Sequence, residues 1–442
     1  MNKRAVLALG AIVLVFIQCA EASQQPGDSN DLQTLPDYLR YASLNNAELR
    51  AKFEEWKAAL EQVPQARALD DPKFTFMKEV QTPSGPKEER FSIMQEFPWF
   101  GKIEARTDTA SANTNAARKQ YEAAKLKLFW QIKDAFGEYV YLAEAIKIAK
   151  QNLELLEHFE EVARIKYATA AAAHPDIIRA QVEMAILEDV LKSLEKLKEP
   201  IVARLNAMLN RPTTAELPWP KKQELKPARL DRSQLIKMLK DKNPELAGLN
   251  WEIEAAKSMV ELAKKKFYPD IGVGVEWMHD GGMMSAGGSG NGKDPIFLMF
   301  SMNLPLWRDS YKAAEQHAKA NVRKIQGQRE DIENKILSSV FEVLYDIEDS
   351  QRKTHLYGDV LVSKAEELVQ ASETAYQAGT IDFLSLIDAQ RMLLKYELDY
   401  ERAVTNNQQK LAELEMLVGT ELPSMAEPSI AEPSINKETV EK

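Results

Sequence analysis

Polar and apolar residues alternate with a period of two in four short stretches. Phe74 and Phe76 share one face of the first, and Phe91, Ile93, Gln95 and Phe97 share one face of the second. Ile271, Val273, Val275 and Trp277 alternate with Gly272, Gly274 and Glu276, and a return run covers Ile296 to Leu304. Such alternation marks half-buried strands, here expected at about 71–80, 91–98, 269–278 and 296–305. The connections between them are polar or glycine-rich, over 81–90 and 279–295. Elsewhere the apolar spacing is three and four. Leu142, Ile146, Ala149, Leu153, Leu156 and Ala163 keep it in the first half, and Leu361, Ala365, Leu368, Ser372 and Ala375 in the second. This is coiled-coil-like spacing. Helices are also expected at about 36–66 and 232–266.

No proline occurs between Pro98 and Pro175, or between Pro305 and Pro423. From strand boundary to next turn is about 65–70 residues, or roughly 100 Å of helix. That exceeds the width of a globular domain, so the helices must form a rod or tube. Pro200, within the apolar stripe of 187–208, is expected to kink or break its helix.

The chain reads as a duplication. Asn46-Ala-Glu-Leu49 reappears as Asn243-Pro-Glu-Leu246, and Pro72 as Pro269. Phe97-Pro98-Trp99 matches Leu304-Pro305-Leu306, and "YATAAAAHPDIIRAQ" (167–181) matches "YQAGTIDFLSLIDAQ" (376–390). Leu205 and Met208 match Leu414 and Leu417. The expected organisation is a first repeat over 23–210, with its turn at about 168–176, and a second over 231–419, with its turn at about 377–383. A Pro-rich linker, 211–230, joins them. The segment 420–442 carries "AEPSIAEPSI" and reads as a disordered tail.

Four strands of about 9–11 residues have the length of tilted membrane-spanning strands. Four cannot close a barrel, and open sheet edges cannot face lipid. Either several chains pool their strands, or the strands form a small soluble subdomain on a helical rod. Periodicity alone leaves both open.

Composition narrows the setting. Lys3 and Arg4 precede an apolar run from Ala5 to Ile17, and Ala20-Glu21-Ala22 fits a cleavage site before Ser23. Residues 1–22 therefore read as a signal peptide, and the mature protein is expected in the bacterial periplasm or beyond. The single cysteine, Cys19, lies inside this leader. Lipidation there would make it the first mature residue, but Gln18 stands where lipoproteins usually carry Gly or Ala. Cleavage after Ala22 leaves no cysteine, which excludes disulfides and thiolate sites. The formal net charge is −10, against a nucleic-acid partner.

Enzyme chemistry finds no support. The five histidines, His158, His174, His279, His317 and His355, form no ligand pair. There is no nucleophile motif and no phosphate-binding loop, so no catalytic, cofactor or metal residues are assigned. The group Met278, His279, Met283 and Met284 could suit a soft metal ion, but reads more simply as an external loop. A pore-free periplasmic coiled-coil scaffold would explain the heptads and the acidity. It would not explain why both strand pairs end in Pro-aromatic steps.

The leader, the duplicated helix–hairpin–helix–helix plan, the "FPWFGK" joint and the "YQAGTIDFLSLIDAQ" turn together resemble the TolC family of outer-membrane efflux proteins, over about 36–419. "HPDIIRAQVEMAILEDVL" and "LNAMLNRP" are most similar to its heavy-metal-efflux branch. The resemblance implies a mainly α fold with a small β part, assembled as a homotrimer. Twelve pooled strands would make an outer-membrane β-barrel, continued by a periplasmic α-helical barrel. It also implies a periplasmic adaptor and an inner-membrane pump of the resistance-nodulation-division type. The chain itself would be a passive exit duct in contact with outer-membrane lipid, with metal cations among its candidate cargo.

The turns would then be the periplasmic tips. Gly379 suits a helix C-terminus that needs a left-handed residue, and Asp382 is placed to cap the returning helix. His174, Pro175 and Asp176 are expected to do similar work in the first tip, since Pro is tolerated in a first helical turn. The family's gate tyrosine matches Tyr376. Of its two pore-ringing acidic residues, one falls on Asp388 and the other on Ser385. The basic residue expected after the tip glycine is Ile381 here, so the closed-state latch departs from the family pattern. The joints would be Pro98, Trp99 and Gly101 in the first copy, and Pro305 and Trp307 in the second, where Asp309 or Ser310 could cap the helix.

Overall fold

The computed structural model describes residues 32–80, 88–222, 231–280 and 294–422. The leader, residues 423–442, and Met283 and Met284 of the Met/His group lie outside them. The fold is mainly helical, with one four-stranded antiparallel sheet. In chain order the elements are α1 (Leu35–Asn45), α2 (Ala47–Arg67), β1 (Lys73–Lys78), β2 (Glu88–Phe97), α3 (Lys102–Ala168) and α4 (His174–Met208). Then come α5 (Arg232–Lys242), α6 (Pro244–Lys265), β3 (Ile271–Asp280), β4 (Ile296–Met302), α7 (Arg308–His355), α8 (Val362–Gln377) and α9 (Phe383–Val418).

Three expectations change. The helices expected at 36–66 and 232–266 are each broken, at Asn46 and Asn243. Asn46 Oδ1 accepts from the Leu49 amide at 2.8 Å and caps α2, while its Nδ2 donates to the Met208 carbonyl at the end of α4. Asn243 does the same to the Leu246 amide and to the Leu417 carbonyl near the end of α9. Each buried amide thus satisfies an orphan donor of one helix and an orphan acceptor of another. Secondly, α7 and α8 are joined through a π-helical turn, Leu356–Leu361. The ring of Tyr400 lies against Gly358 there, where an added Cβ would stand 2.7 Å from it. Thirdly, α4 continues through Pro200 without a break. Its amphipathic packing against α3 outweighs the lost backbone hydrogen bond.

The sheet order is β1-β2-β3-β4. Phe76, Phe91, Trp277 and Ile296 stand opposite one another across it, with ring centroids 4.9 Å apart for Phe76–Phe91 and 5.2 Å for Phe91–Trp277. This face is apolar and exposed: Phe74, Ile296, Leu298 and Phe300 are all more than 60% accessible. The other face carries the pairs Lys73–Glu96, at 2.7 Å, and Arg90–Glu276.

The helices adjoining the sheet pack in the matching order α2-α3-α6-α7. Farther along α3 its neighbours become α4 and α9, and α9 in turn packs on α7 and α8. Three buried clusters hold this layer. Tyr38, Phe136, Tyr139 and Leu205 centre the first. Val340, Ile347 and Leu414 centre the second, and Phe159, Leu386 and Phe383 centre the third, toward the turns. Part of the Pro-rich segment is docked rather than free. Leu217 is buried, its carbonyl accepts from the Tyr139 hydroxyl, and Lys222 forms a two-pronged contact with Glu401. Residues 223–230 lie outside the described ones.

Candidate functional site

At the first joint β2 ends at Phe97, and Gly101 adopts φ +79° before α3 begins at Lys102. Pro98 follows the last paired residue, as a residue without a ladder donor should. Trp99 stacks on Tyr268 with the rings only 8° from parallel. Asp270 ties this joint together. Its Oδ1 accepts from the Trp99 amide at 2.8 Å and from Lys102 Nζ at 2.7 Å, and Lys102 also donates to the Tyr268 carbonyl. Lys102 is buried.

The second joint is tied to the same residue. The Asp270 amide donates to Asn303 Oδ1, and the Asn303 amide to the Asp270 carbonyl. Pro305 lies between β4 and α7, and Trp307 is the exposed residue on which α7 begins. Neither Asp309 nor Ser310 caps α7. Both fall inside its first turn, where Asp309 still complements the helix dipole.

Asp270 and Tyr268 are the joint residues that sequence reasoning missed. One signal was available: Asp270 follows Pro269 where Lys73 follows Pro72, and Lys73 binds Glu96 instead.

At the tips the two turns close alike. The Gly379 amide donates to the Tyr376 carbonyl and the Thr380 amide to the Ala375 carbonyl; Ala170 and Ala171 repeat this with Tyr167 and Lys166. Both turns need a left-handed residue, supplied by Gly379 at φ +76° and by Ala170 at φ +59°. A Cβ on Gly379 would touch nothing, so only backbone strain opposes one. Gly379→Ala is therefore expected to lower stability by about 1 kcal/mol and Ala170→Gly to raise it by a few tenths, read as denaturation midpoints.

Asp382 caps α9. The Ser385 hydroxyl and amide both donate to its Oδ1, at 2.5 and 3.0 Å, and these bonds hold its carboxyl below the ordinary range. Ser385 is thus engaged in the cap. The first tip works otherwise. No side chain caps α4: His174 begins it and packs on Tyr167, while Asp176 turns to the other tip.

There Asp176 accepts from the Tyr376 hydroxyl at 3.3 Å. Burial first, and then the Asp176 charge, push that phenol up to about 12, so it remains a neutral donor. Tyr376 also meets Phe383 edge-on. Lys166 sits 4.5 Å over the Tyr376 ring and donates to its carbonyl. Tyr376, Asp176 and Lys166 thus bind the two tips together.

Asp388 is exposed on α9, one turn past the tip. It lies 3.3 Å from Arg391, which also grips Glu183 of α4. Lys166 and Arg391 were both missed by sequence reasoning. Arg391 had a signal in its i+3 spacing from Asp388. Lys166 had none, because the second copy has Ala375 in its place.

Each strand of the sheet thus adjoins one helix of a long helical layer, and the two turns are paired with each other. The description "Outer membrane efflux protein" fits residues 39–210 and 235–420, and the chain belongs to that family. The resemblance drawn from the tip and joint motifs is borne out. The pyoverdine export outer membrane protein OpmQ of Pseudomonas putida is 22% identical over 325 residues, covering 68% of this chain and 64% of that protein. The cobalt-zinc-cadmium resistance protein CzcC of Cupriavidus metallidurans is 20% identical over 396 residues, covering 87% and 90%. The structure of the outer-membrane channel OprN superposes with a TM-score of 0.74 at 19% identity, covering 87% and 89%. Neither relative named here is described as an enzyme.

Proposed function

We propose that the chain is one third of the outer-membrane exit duct of a tripartite efflux system. The observation that carries this reading is the shared order of sheet and helices. Strands β1 and β4 are the sheet's two edges, and the helices that continue them, α2 and α7, are the edges of the adjoining layer. Joining β4 of one copy to β1 of the next extends both layers at once. Three copies then give twelve strands and remove every edge, and the exposed apolar face of the sheet meets lipid. Farther down, α4 carries an exposed stripe of Ile178, Val182, Ile186 and Val190, which suits the α7–α8 edge of the next copy.

The duplicated halves would each contribute one hairpin to the barrel and one tip to the periplasmic end. The tips would meet the adaptor, and an inner-membrane pump of the resistance-nodulation-division type would supply the energy. Metal cations as cargo draw support from the near full-length likeness to CzcC; an organic chelate would follow the export protein OpmQ instead. A pore-free scaffold leaves the exposed apolar face of the sheet without an explanation.

In the trimer, three Asp388 carboxylates would ring the tunnel as a cation filter. Purified protein is expected to give discrete conductance steps in planar bilayers. Asp388→Asn should weaken block by divalent cations about tenfold, which corresponds to ~1.4 kcal/mol. Arg391→Gln frees Asp388 and should strengthen that block. Unchanged block in both variants would remove Asp388 from the gate, and mature protein that stays soluble without detergent would defeat the duct itself.

A further inference from the structure

The joint carries positive charge that no ion pair among the described residues neutralises. Helix α6 ends in Lys264 and Lys265, followed by Lys266, immediately before Phe267, Tyr268 and β3. Lys264 is paired with Glu261 at 2.6 Å. The side chains of Lys265 and Lys266 have no hydrogen bond or ion pair among the described residues, and neither has the guanidinium of Arg308, which opens α7. These groups belong to one neighbourhood. The pairing of Ile271 with Met302 sets the ends of α6 and α7 side by side, and the Phe267 and Tyr311 rings meet there at 5.6 Å. Lys265 lies along Gly101, its Nζ only 2.5 Å from where a Cβ would stand.

Two of the nearby carboxylates are already used. Asp270 holds Lys102, and Asp309 stands by Lys312 at 3.7 Å. Around the unpaired cations the surface is apolar: Phe100 and Trp307 are 82% and 78% exposed, and Leu306 is exposed as well. Here unpaired cations are bordered by exposed aromatic and aliphatic side chains. Together they match the two ends of a lipid, an anionic phosphate and an acyl chain.

We infer that Lys265, Lys266 and Arg308 form a binding collar for the headgroup of an anionic phospholipid in the periplasmic leaflet, with Phe100, Leu306 and Trp307 against its glycerol and upper acyl region. The inference rests on the duct reading, which places the strand ends at a membrane surface. Basic side chains at such a surface attract anionic lipid by about fivefold each, the equivalent of ~1 kcal/mol.

The test uses full-length mature protein in neutral detergent. Thermal midpoint and lipid adducts by native mass spectrometry are followed as dioleoylphosphatidylglycerol or dioleoylphosphatidylcholine is added. Phosphatidylglycerol should bind and stabilise more than phosphatidylcholine. The Lys265→Gln/Lys266→Gln/Arg308→Gln variant should lose that difference, and the Lys265→Arg/Lys266→Arg/Arg308→Lys variant should keep it. Equal responses to the two lipids overturn the collar. So does a wild-type shift that inorganic phosphate alone reproduces, or a charge-removed variant that still prefers phosphatidylglycerol. Loss of the trimer in the charge-removed variant, with no lipid preference in the wild type, would assign the cations to a neighbouring copy and overturn it too. Conductance in phosphatidylcholine bilayers separates the two readings. A wild type without channels defeats the duct, whereas channels with equal lipid responses defeat the collar alone.

Discussion

Glu415→Ala is expected to lower stability by about 3–5 kcal/mol, the largest effect of any single substitution considered. Lys133 Nζ and Glu415 Oε2 are 2.8 Å apart between α3 and α9, with both side chains under a tenth exposed. The second carboxylate oxygen accepts from the Leu422 amide at 3.1 Å. Removing the carboxylate leaves an ammonium in a largely buried site, and an amide without its acceptor. The loss arises from what is left unpaired, rather than from the net strength of the pair. Lys133→Met combined with Glu415→Leu should therefore recover most of it. Urea denaturation midpoints of the detergent-solubilised protein read both variants. A double variant as unstable as the single one would show that this site needs the ions themselves.

The second large effect is expected at the joint. Asp270→Ala removes the acceptor of the Trp99 amide and the counterion of buried Lys102. Hydrogen bonds to a charged group contribute about 1.5–3 kcal/mol, and the stranded lysine adds to the loss. We expect a decrease of about 2–4 kcal/mol, confined to the strand-to-helix boundary. Asp270→Asn keeps an acceptor without the charge, and should lose about half as much. Hydrogen exchange at Trp99 and the fluorescence of its indole, now stacked on Tyr268, report the opening directly. Unchanged exchange in Asp270→Ala would mean that Pro98 and the strand pairing alone hold the joint.

These two sites differ in what a reader of the sequence could have found. The joint advertised itself: an alternating run ends in Pro98, an aromatic pair and Gly101, and a related step recurs at Pro305 and Trp307. Its hub did not. Asp270 and Lys102 are 168 positions apart, and although Lys102 closes the "FPWFGK" step, nothing local ties it to Asp270. The tip was legible in the same way. Gly379 and Asp382 follow from the left-handed stop and the cap, because both are chemistry within a few residues. The grip of Lys166 on Tyr376, and of Arg391 on Glu183, spans more than two hundred positions. Asn46 and Asn243 show the limit sharply. The repeat exposed them as a matched pair, yet an asparagine within a helical pattern is a weak stop. The Met208 and Leu417 carbonyls, which decide that each helix breaks there, are far off in the chain.

By itself, then, the sequence determined the kinds of element and where the chain turns. Periodicity of two or of three-to-four, prolines, left-handed glycine and capping side chains act between near neighbours, so a linear reading contains them. The tertiary structure alone decided that strand order and helix order coincide, that Asp270 gathers both joints, and that Tyr376 bridges the tips. Each of these depends on which distant surfaces pack together. That choice is made by burial of apolar area summed over the whole layer, a quantity no short stretch of residues carries.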